Sequence, residues 1–150
     1  KLSQEIDMKL SIIRFFSIYG PGQKKQLLWD AYEKLTSNDS QAIFFGTGEE
    51  TRDWMYIEDA SRLILHLSEM QNPPFLINGA SGIRITLKNS LNLLKNSIGT
   101  DKKLVFDGKI RAGDPAFYHA DISRLLHTKF KNKFKLQEGI RQYVEWCSNQ

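Results

Sequence analysis

Arginines and carboxylates stand close together at two places in the sequence where a turn ends. Arg52 and Asp53 follow the Gly-Thr-Gly turn at 46–48, and Arg111 and Asp114 flank another glycine. A guanidinium is well suited to bind phosphate through charge-assisted hydrogen bonds, and a carboxylate accepts hydrogen bonds from hydroxyl groups. The same residue types also form salt bridges on surface loops. The residues alone therefore leave both uses open.

Other common catalytic patterns are absent from the sequence. A G-x-G-x-x-G dinucleotide fingerprint is not formed, because Thr51 and Ile85 occupy the positions where its last glycine would stand. No tyrosine has a lysine four residues later, and neither a phosphate-binding Walker sequence nor a G-x-S-x-G nucleophile elbow occurs. Metal-ligand spacing is also missing from the histidines and the single cysteine, which are His66, His119, His127 and Cys147. We therefore expect no metal site.

Composition indicates one globular domain. The chain has 150 residues, of which 41% are hydrophobic and 25% charged, with a formal net charge of +4. A mildly basic protein suits a partner that carries phosphate but does not require one. A single cysteine excludes an intrachain disulfide and is compatible with the reducing cytoplasm, where we expect the protein to be located. No apolar run approaches the ~20 residues of a membrane helix, so we expect no membrane partner.

Strand-like and helix-like segments alternate along the chain. Runs of β-branched and aromatic residues predict strands at 11–19, 42–45, 75–77 and 104–106, and residues 78–82 are predicted to form a loop. Apolar residues at helical spacing predict helices at 24–35, 57–70, 87–98, 121–127 and 136–147, with Thr86 as a helix cap. The alternation favours an α/β fold with some parallel strand pairing.

Three segments taken together resemble one protein family. They are Arg-Phe-Phe-Ser-Ile-Tyr-Gly-Pro at 14–21, Phe-Gly-Thr-Gly-Glu-Glu-Thr-Arg-Asp-Trp at 45–54, and Arg-Ala-Gly-Asp-Pro at 111–115 followed by Ala-Asp at 120–121. In this order they resemble the C-terminal half of extended short-chain dehydrogenases/reductases, the NAD-dependent nucleotide-sugar epimerase/dehydratase family. The resemblance covers nearly the whole chain. In that family the glycine-rich loop and the Tyr-x-x-x-Lys pair precede the Arg-Phe-Phe segment.

The resemblance implies a fold in two parts. Residues near 1–20 and 73–82 would be a remnant of the parallel dinucleotide-binding (Rossmann-like) sheet. Residues near 21–72 and 83–150 would form the small α/β substrate-binding domain. The chain would then be the C-terminal part of a protein about twice as long, which functions as a homodimer when complete. Its partners would be the N-terminal half of the same enzyme and a nucleoside-diphosphate sugar.

The implied reaction is hydride transfer at a sugar carbon of a nucleoside-diphosphate sugar, in the biosynthesis of polysaccharides or cell-surface sugars. The full-length protein would use NAD or NADP, which supplies the redox chemistry. Since the Tyr/Lys pair is missing, this segment would contain no catalytic residue, bind no cofactor alone and be inactive alone. The motifs are shared by epimerases (such as UDP-glucose 4-epimerase), dehydratases and reductases, so the sugar, the base and the reaction outcome stay open.

By resemblance, the end of the first strand lines the nicotinamide and the substrate. Phe16 and Ile18 would contact the cofactor, and Ser17 would contact the substrate. The family usually has asparagine where Ser17 stands, and serine has one hydroxyl donor whereas an amide has two N–H donors. The alternative is that these residues simply belong to the core of the sheet.

The remaining candidates are also assigned by resemblance. Phe45 would pack on the nucleotide base, Arg52 and Arg111 would bind the diphosphate, and Asp114 would bind the ribose hydroxyls. Asp53 would anchor Arg52 or the loop. The alternatives are core packing for Phe45 and surface salt bridges for the charged residues.

Two rival functions belong to other classes. One is a non-catalytic module that binds a nucleotide sugar or a protein partner. The other is a nucleic-acid binder, suggested by the alternation of lysine and phenylalanine at 129–135. No known nucleic-acid-binding motif accompanies that alternation, so we expect no nucleic-acid partner.

Overall fold

The computed structural model describes residues 9–109, 113 and 115–150. In this part of the chain strands and helices alternate, which confirms the predicted α/β fold with parallel strands. The strands are β1 (Ile12–Phe15), β2 (Ser17–Tyr19), β3 (Gln41–Phe44), β4 (Thr51–Tyr56), β5 (Leu76–Gly79), β6 (Arg84–Thr86) and β7 (Lys103–Phe106). The helices are α1 (Gln26–Thr36), α2 (Ile57–Glu69), α3 (Leu87–Ile98), α4 (Ser123–His127) and α5 (Leu136–Ser148).

The described strands form three small sheets. β1 pairs with β5 and β3 pairs with β7, both in parallel. The third sheet has the order β2-β4-β6, in which β2 is parallel and β6 antiparallel to β4. Each connection between parallel neighbours contains at least one helix, since a short hairpin turn cannot join parallel strands.

The strand predicted at 11–19 is two strands that belong to different sheets. The chain bends at Phe16, whose N–H donates to the carbonyl of Gly79 and whose own carbonyl accepts from Ile18. A continuous apolar run could not reveal this break, because both strands are apolar. Asn78 and Gly79, predicted as loop, extend β5 instead.

β4 and β6 were not predicted from the sequence. β4 contains the polar residues Thr51, Arg52 and Asp53, so it lacks the apolar alternation of a half-buried strand. It lies between β2 and β6, and nearly all of its residues are buried. Tertiary hydrogen bonds, described below, compensate for burying its polar side chains.

Two core clusters pack on opposite faces of β4. Trp54 and Tyr56 belong to the first cluster, together with side chains of α1, α3 and α5. Met55 belongs to the second cluster, together with side chains of α2. Because successive side chains of a strand alternate between its faces, Arg52 shares the face of Trp54. The charged side chain of Arg52 therefore lies at the edge of the first cluster, where it is half-buried.

The helix predicted after Thr86 is confirmed at both ends. The Thr86 hydroxyl accepts from the N–H of Asn89, as an N-cap residue does, and α3 ends at Gly99, whose φ is 76°. Since the helix begins directly after β6, it places Leu87 next to Arg52 on the neighbouring strand.

Candidate functional site

Two adjoining cavities lie at the edge of the first core cluster. The smaller has a volume of about 260 Å³ and the larger about 780 Å³. Phe45, Arg52 and Leu87 line both, whereas Ser17 and Tyr118 line only the larger. The structure therefore brings together Ser17, Phe45 and Arg52, which come from β2, the end of β3 and β4.

The guanidinium of Arg52 is positioned by two backbone carbonyls. Its Nη1 donates to the carbonyl of Thr51 at 2.8 Å and to that of Pro115 at 2.8 Å. A guanidinium carries five N–H donors, and these two bonds use one nitrogen. Arg52 is half-buried between the cavities. It can therefore hold the segment at Pro115 and still present a cationic fork to an anion.

An ion pair on α1 also lines the larger cavity. Lys34 Nζ lies 2.9 Å from the carboxylate of Asp30 and 5.1 Å from the centre of the Phe44 ring. Asp30 and Lys34 lie outside the motifs that were recognised in the sequence. The spacing i, i+4 puts both residues on one helix face, and Leu27 shares it at i−3 from Asp30, so the spacing could have revealed them.

Phe45 lies outside both core clusters and is 55% exposed. The turn that follows it is held by Glu50, whose carboxylate accepts from the N–H groups of Thr47 at 2.9 Å and Gly48 at 2.8 Å. Burial opposes ionisation of Glu50, but these hydrogen bonds outweigh it and lower the pKa of the carboxyl. The turn is thus built around a fixed negative charge.

Phe16 stacks on Tyr118, with ring centres 4.6 Å apart and an interplanar angle of 29°. The N–H of Tyr118 donates to the hydroxyl of Thr51, which keeps Tyr118 beside β4. Tyr118 falls between two motifs of the sequence and was missed. Ile18, predicted to contact the cofactor, packs against the second core cluster.

Asp53 is fully buried and anchors loops. Its carboxylate accepts from the N–H and hydroxyl of Ser81 at 2.8 and 2.7 Å. It also accepts from the N–H groups of Gly82 and Ala120. Asp53 was predicted to anchor either Arg52 or the loop, and the structure shows that it anchors loops. Its hydrogen bonds hold the segment after Tyr118 and the loop after β5 against β4.

Arg111 and Asp114 lie outside the described residues. Among the residues that the structure does describe, no group of three or more His, Cys, Asp or Glu could hold a metal ion. The helices found in the same residues are too short or too polar to cross a membrane.

Solved structures of nucleotide-sugar epimerases share this fold. One of them is a UDP-N-acetylglucosamine 4-epimerase from Methanobrevibacter ruminantium in complex with UDP-N-acetylmuramic acid. The alignment covers 99% of this chain and 49% of the epimerase, with a TM-score of 0.87 and 22% identity. A UDP-glucose 4-epimerase from Thermotoga maritima with UDP-glucose matches 98% of the chain and 48% of its own length, with a TM-score of 0.84 and 25% identity.

A plant protein is similar in sequence. The "Probable GDP-L-fucose synthase 1" of Oryza sativa is 27% identical over 115 residues, which are 77% of this chain and 35% of that protein. The chain thus spans between a third and a half of the length of these relatives.

A family model described as "NAD dependent epimerase/dehydratase family" matches residues 1–78. This match contradicts the prediction that the chain is the C-terminal half of a family member. The matched residues are the N-terminal half of the chain, and they include β1 to β4 and most of β5, with Ser17, Phe45 and Arg52. Because the match covers more than half of the chain, it shows the family to which the chain belongs. It does not show that the chain is the C-terminal half of a member. The chain belongs to the NAD dependent epimerase/dehydratase family.

Proposed function

We propose that the chain binds a nucleoside-diphosphate sugar in the two joined cavities. It would thereby form the substrate-binding part of an NAD(P)-dependent nucleotide-sugar epimerase/dehydratase. The observation that carries this proposal is that Ser17, Phe45 and Arg52, which come from three different strand segments, all line the larger cavity. Each has chemistry suited to a different part of such a ligand.

The order of these residues along the cleft supports one orientation of the ligand. Arg52 lines both cavities and would hold the diphosphate through its charged fork. The smaller cavity beside Phe45 would take the base, because an exposed ring offers a face for stacking. The larger cavity beside Ser17 would take the sugar.

The predicted division of the chain remains part of this proposal. Residues near 1–20 and 73–82 would belong to a parallel dinucleotide-binding sheet, and residues near 21–72 and 83–150 to the substrate-binding part. The parallel pairing of β1 with β5 supports the first group. The substrate residues Phe45 and Arg52 fall in the second.

Bound NAD(P) would supply the hydride acceptor for a sugar carbon. The residues present fit only the nicotinamide end of such a cofactor. Phe16, half-buried at the bend between β1 and β2, could pack on the ring, whereas Ile18 is engaged in the core. The sequence holds no G-x-G-x-x-G turn to bind the pyrophosphate. We therefore expect weak NAD binding by the 150-residue chain and no turnover of sugar nucleotides.

Calorimetric titration of the chain with UDP, GDP and their glucose derivatives tests the proposal. Arg52→Ala removes a charge-assisted contact, so affinity should fall by roughly 10- to 150-fold for every diphosphate ligand. Arg111→Ala should behave similarly, and the double variant should be non-additive if both bind one diphosphate. Asp114→Asn should cost less and should affect ribose ligands more than deoxyribose ligands.

The exposed Arg84, on β6, provides the matched control. Arg84→Ala should leave every affinity unchanged. Absence of nucleotide binding by the wild-type chain, or unchanged affinity in folded Arg52→Ala, would overturn the proposal. Binding together with measurable turnover by the chain alone would contradict the expectation that it is a binding part only.

A further inference from the structure

A third cavity is lined by residues of β4, of β6 and of the segment 132–136 that leads into α5. Its volume is about 410 Å³, within the range of pockets that take small organic molecules. Trp54 is the only described residue that lines both this cavity and the larger of the two above, and no described residue is shared with the smaller. The third cavity is therefore distinct from the site of the proposed function.

Three buried aromatic rings form part of the wall of this cavity, and the polar groups of these rings are used elsewhere. The hydroxyl of Tyr19 donates to the carbonyl of Leu136, and the hydroxyl of Tyr56 donates to a side chain of α5. The indole N–H of Trp54 donates to a hydroxyl on α3. These residues therefore offer the cavity mainly ring carbon, which favours an apolar ligand.

Apolar side chains that solvent reaches complete the wall. Ile83 is 68% exposed, whereas Ile85, Phe134 and Leu136 are half-buried. The ring of Phe134 packs on that of Tyr56, with ring centres 4.7 Å apart. An apolar group that enters the cavity removes such surface from water, and the gain is proportional to the area covered.

The charged groups of the described lining are all positive: they belong to Lys133 and Lys135. The ammonium of Lys133 lies 5.2 Å from the centre of the Phe134 ring, which places it beside the apolar wall. Within the described ranges no carboxylate lies within 4 Å of either ammonium. The N–H groups of Lys133 and Phe134 donate to the buried carboxylate of Asp59, so the backbone that carries the ammonium is fixed.

We propose that the third cavity binds a small apolar carboxylate, such as an arylalkanoate, at a site separate from the sugar-nucleotide site. Its apolar body contacts the aromatic and aliphatic wall, and its carboxylate pairs with the ammonium of Lys133. An apolar amide of the same shape lacks the ion pair and binds more weakly. An apolar cation is repelled by both lysines.

Titration of the wild-type chain with phenylpropionate, phenylpropionamide and acetate, followed by NMR, tests the proposal. Molecules of this size bind in the millimolar range. Phenylpropionate should shift the backbone signals of Ile83 and Ile85 and the indole N–H signal of Trp54. The indole signals of Trp29 and Trp146, which do not line the cavity, should stay in place. The acid should bind about fivefold more tightly than the amide. Acetate, which has no apolar body, should cause no shift at the same concentrations.

A double variant identifies the charge responsible. Lys133→Met with Lys135→Met removes both ammonium groups but keeps unbranched side chains, so the preference for the acid over the amide should fall to less than about twofold. The affinity for the amide should not change. The matched control is Lys129→Met with Lys131→Met, at two exposed positions of the same segment that do not line the cavity, and it should keep the fivefold preference.

Ile83→Glu reverses the charge balance from the other side of the lining. The position is exposed, so the fold should tolerate the change. The added carboxylate should repel the acid and leave the amide bound, so that the preference for the acid disappears. This variant decides the matter if the double lysine variant, checked by circular dichroism, does not fold.

Three results would overturn the proposal. One is the absence of shifts at Ile83 and Ile85 with millimolar phenylpropionate. Another is equal affinity of the wild type for the acid and the amide, or a preference that survives in the folded double variant. The third is a set of shifts confined to Phe44 and Leu91, which line the larger cavity. None of these results depends on whether the chain binds a sugar nucleotide, so the proposed function is tested separately.

Discussion

The buried carboxylate of Asp53 ties together three segments around the candidate site, and Asp53→Asn measures how much that charge stabilises the fold. The side chain is fully buried, and its two oxygens accept from Ser81, Gly82 and Ala120. Asparagine has nearly the same shape but replaces one acceptor oxygen with a donor NH2 group. The substitution therefore changes the hydrogen bonding without leaving a cavity.

The expected loss follows from the contacts of each oxygen. If the amide oxygen stays with Ser81, the NH2 group replaces Oδ2, which accepts from Gly82 and Ala120. One hydrogen bond to a charged group is worth about 1.5–3 kcal/mol, and an unsatisfied buried N–H costs about 1–3 kcal/mol. We expect Asp53→Asn to destabilise the chain by about 3–5 kcal/mol, a drop in Tm of roughly 6–20 °C.

Urea denaturation followed by circular dichroism measures this loss. Ser81→Ala removes the hydroxyl, which donates to the Asp53 carboxylate and accepts from the N–H of Ile83, and should cost about 1.5–3 kcal/mol. Asp101→Asn changes an exposed carboxylate and should stay within about 0.5 kcal/mol of the wild type. A stability of Asp53→Asn within about 1 kcal/mol of the wild type, with an unchanged denaturant slope, would refute the argument that this charge is strongly stabilising.

Three further outcomes are expected. Hydrogen bonds to the ionised carboxylate of Glu50 lower its pKa in the folded state and so stabilise the fold. The loss of stability in Glu50→Gln should therefore be full above the ordinary glutamate pKa of about 4.3 and should disappear as pH falls through the lower pKa of the folded state. Urea denaturation at a series of pH values measures this loss. Burial raises the pKa of the Cys147 thiol and shields it, so a thiol reagent at pH 8 should react slowly in buffer and rapidly in urea. Lys129 has φ 63°, so Lys129→Gly should raise stability by up to about 1 kcal/mol in thermal melts, whereas Lys131→Gly at an exposed neighbouring position should not.

Helices were predictable because each carries a local signal. The apolar spacing in α2 and α3 selects one buried face, and Thr86 supplies the cap that the N-terminus of α3 requires. β4 has no such signal. Thr51 and Asp53 are buried in it because their hydrogen-bond partners, the backbone from Ala116 to Ala120 and the loop at Ser81, come from distant parts of the chain.

The residues of the candidate site also fall into two groups: those that stand in a sequence motif and those that do not. Ser17, Phe45 and Arg52 stand in motifs, so they were named before the fold was known. Tyr118 and Lys109 stand in none, and they reach the cleft because segment 115–120 pairs with β4 and the chain after β7 continues along Gly46. Residues that reach a site only through tertiary contacts, such as Tyr118 and Lys109, produce no local sequence pattern from which they could be predicted.

If Arg52 binds the diphosphate as proposed, it would link the position of the segment at Pro115 to the binding of the ligand. Its Nη1 donates to the carbonyl of Pro115, and Arg52 lines both cavities. An anion that pairs with the fork would restrict the rotamers of Arg52, and the segment at Pro115 would be restricted with it. A lysine at this position would keep the charge but not the rigid planar fork, so it could not make both contacts in a fixed geometry. Arginine at position 52 could therefore perform both tasks at once: hold the carbonyl of Pro115 and pair with the anion of the proposed ligand.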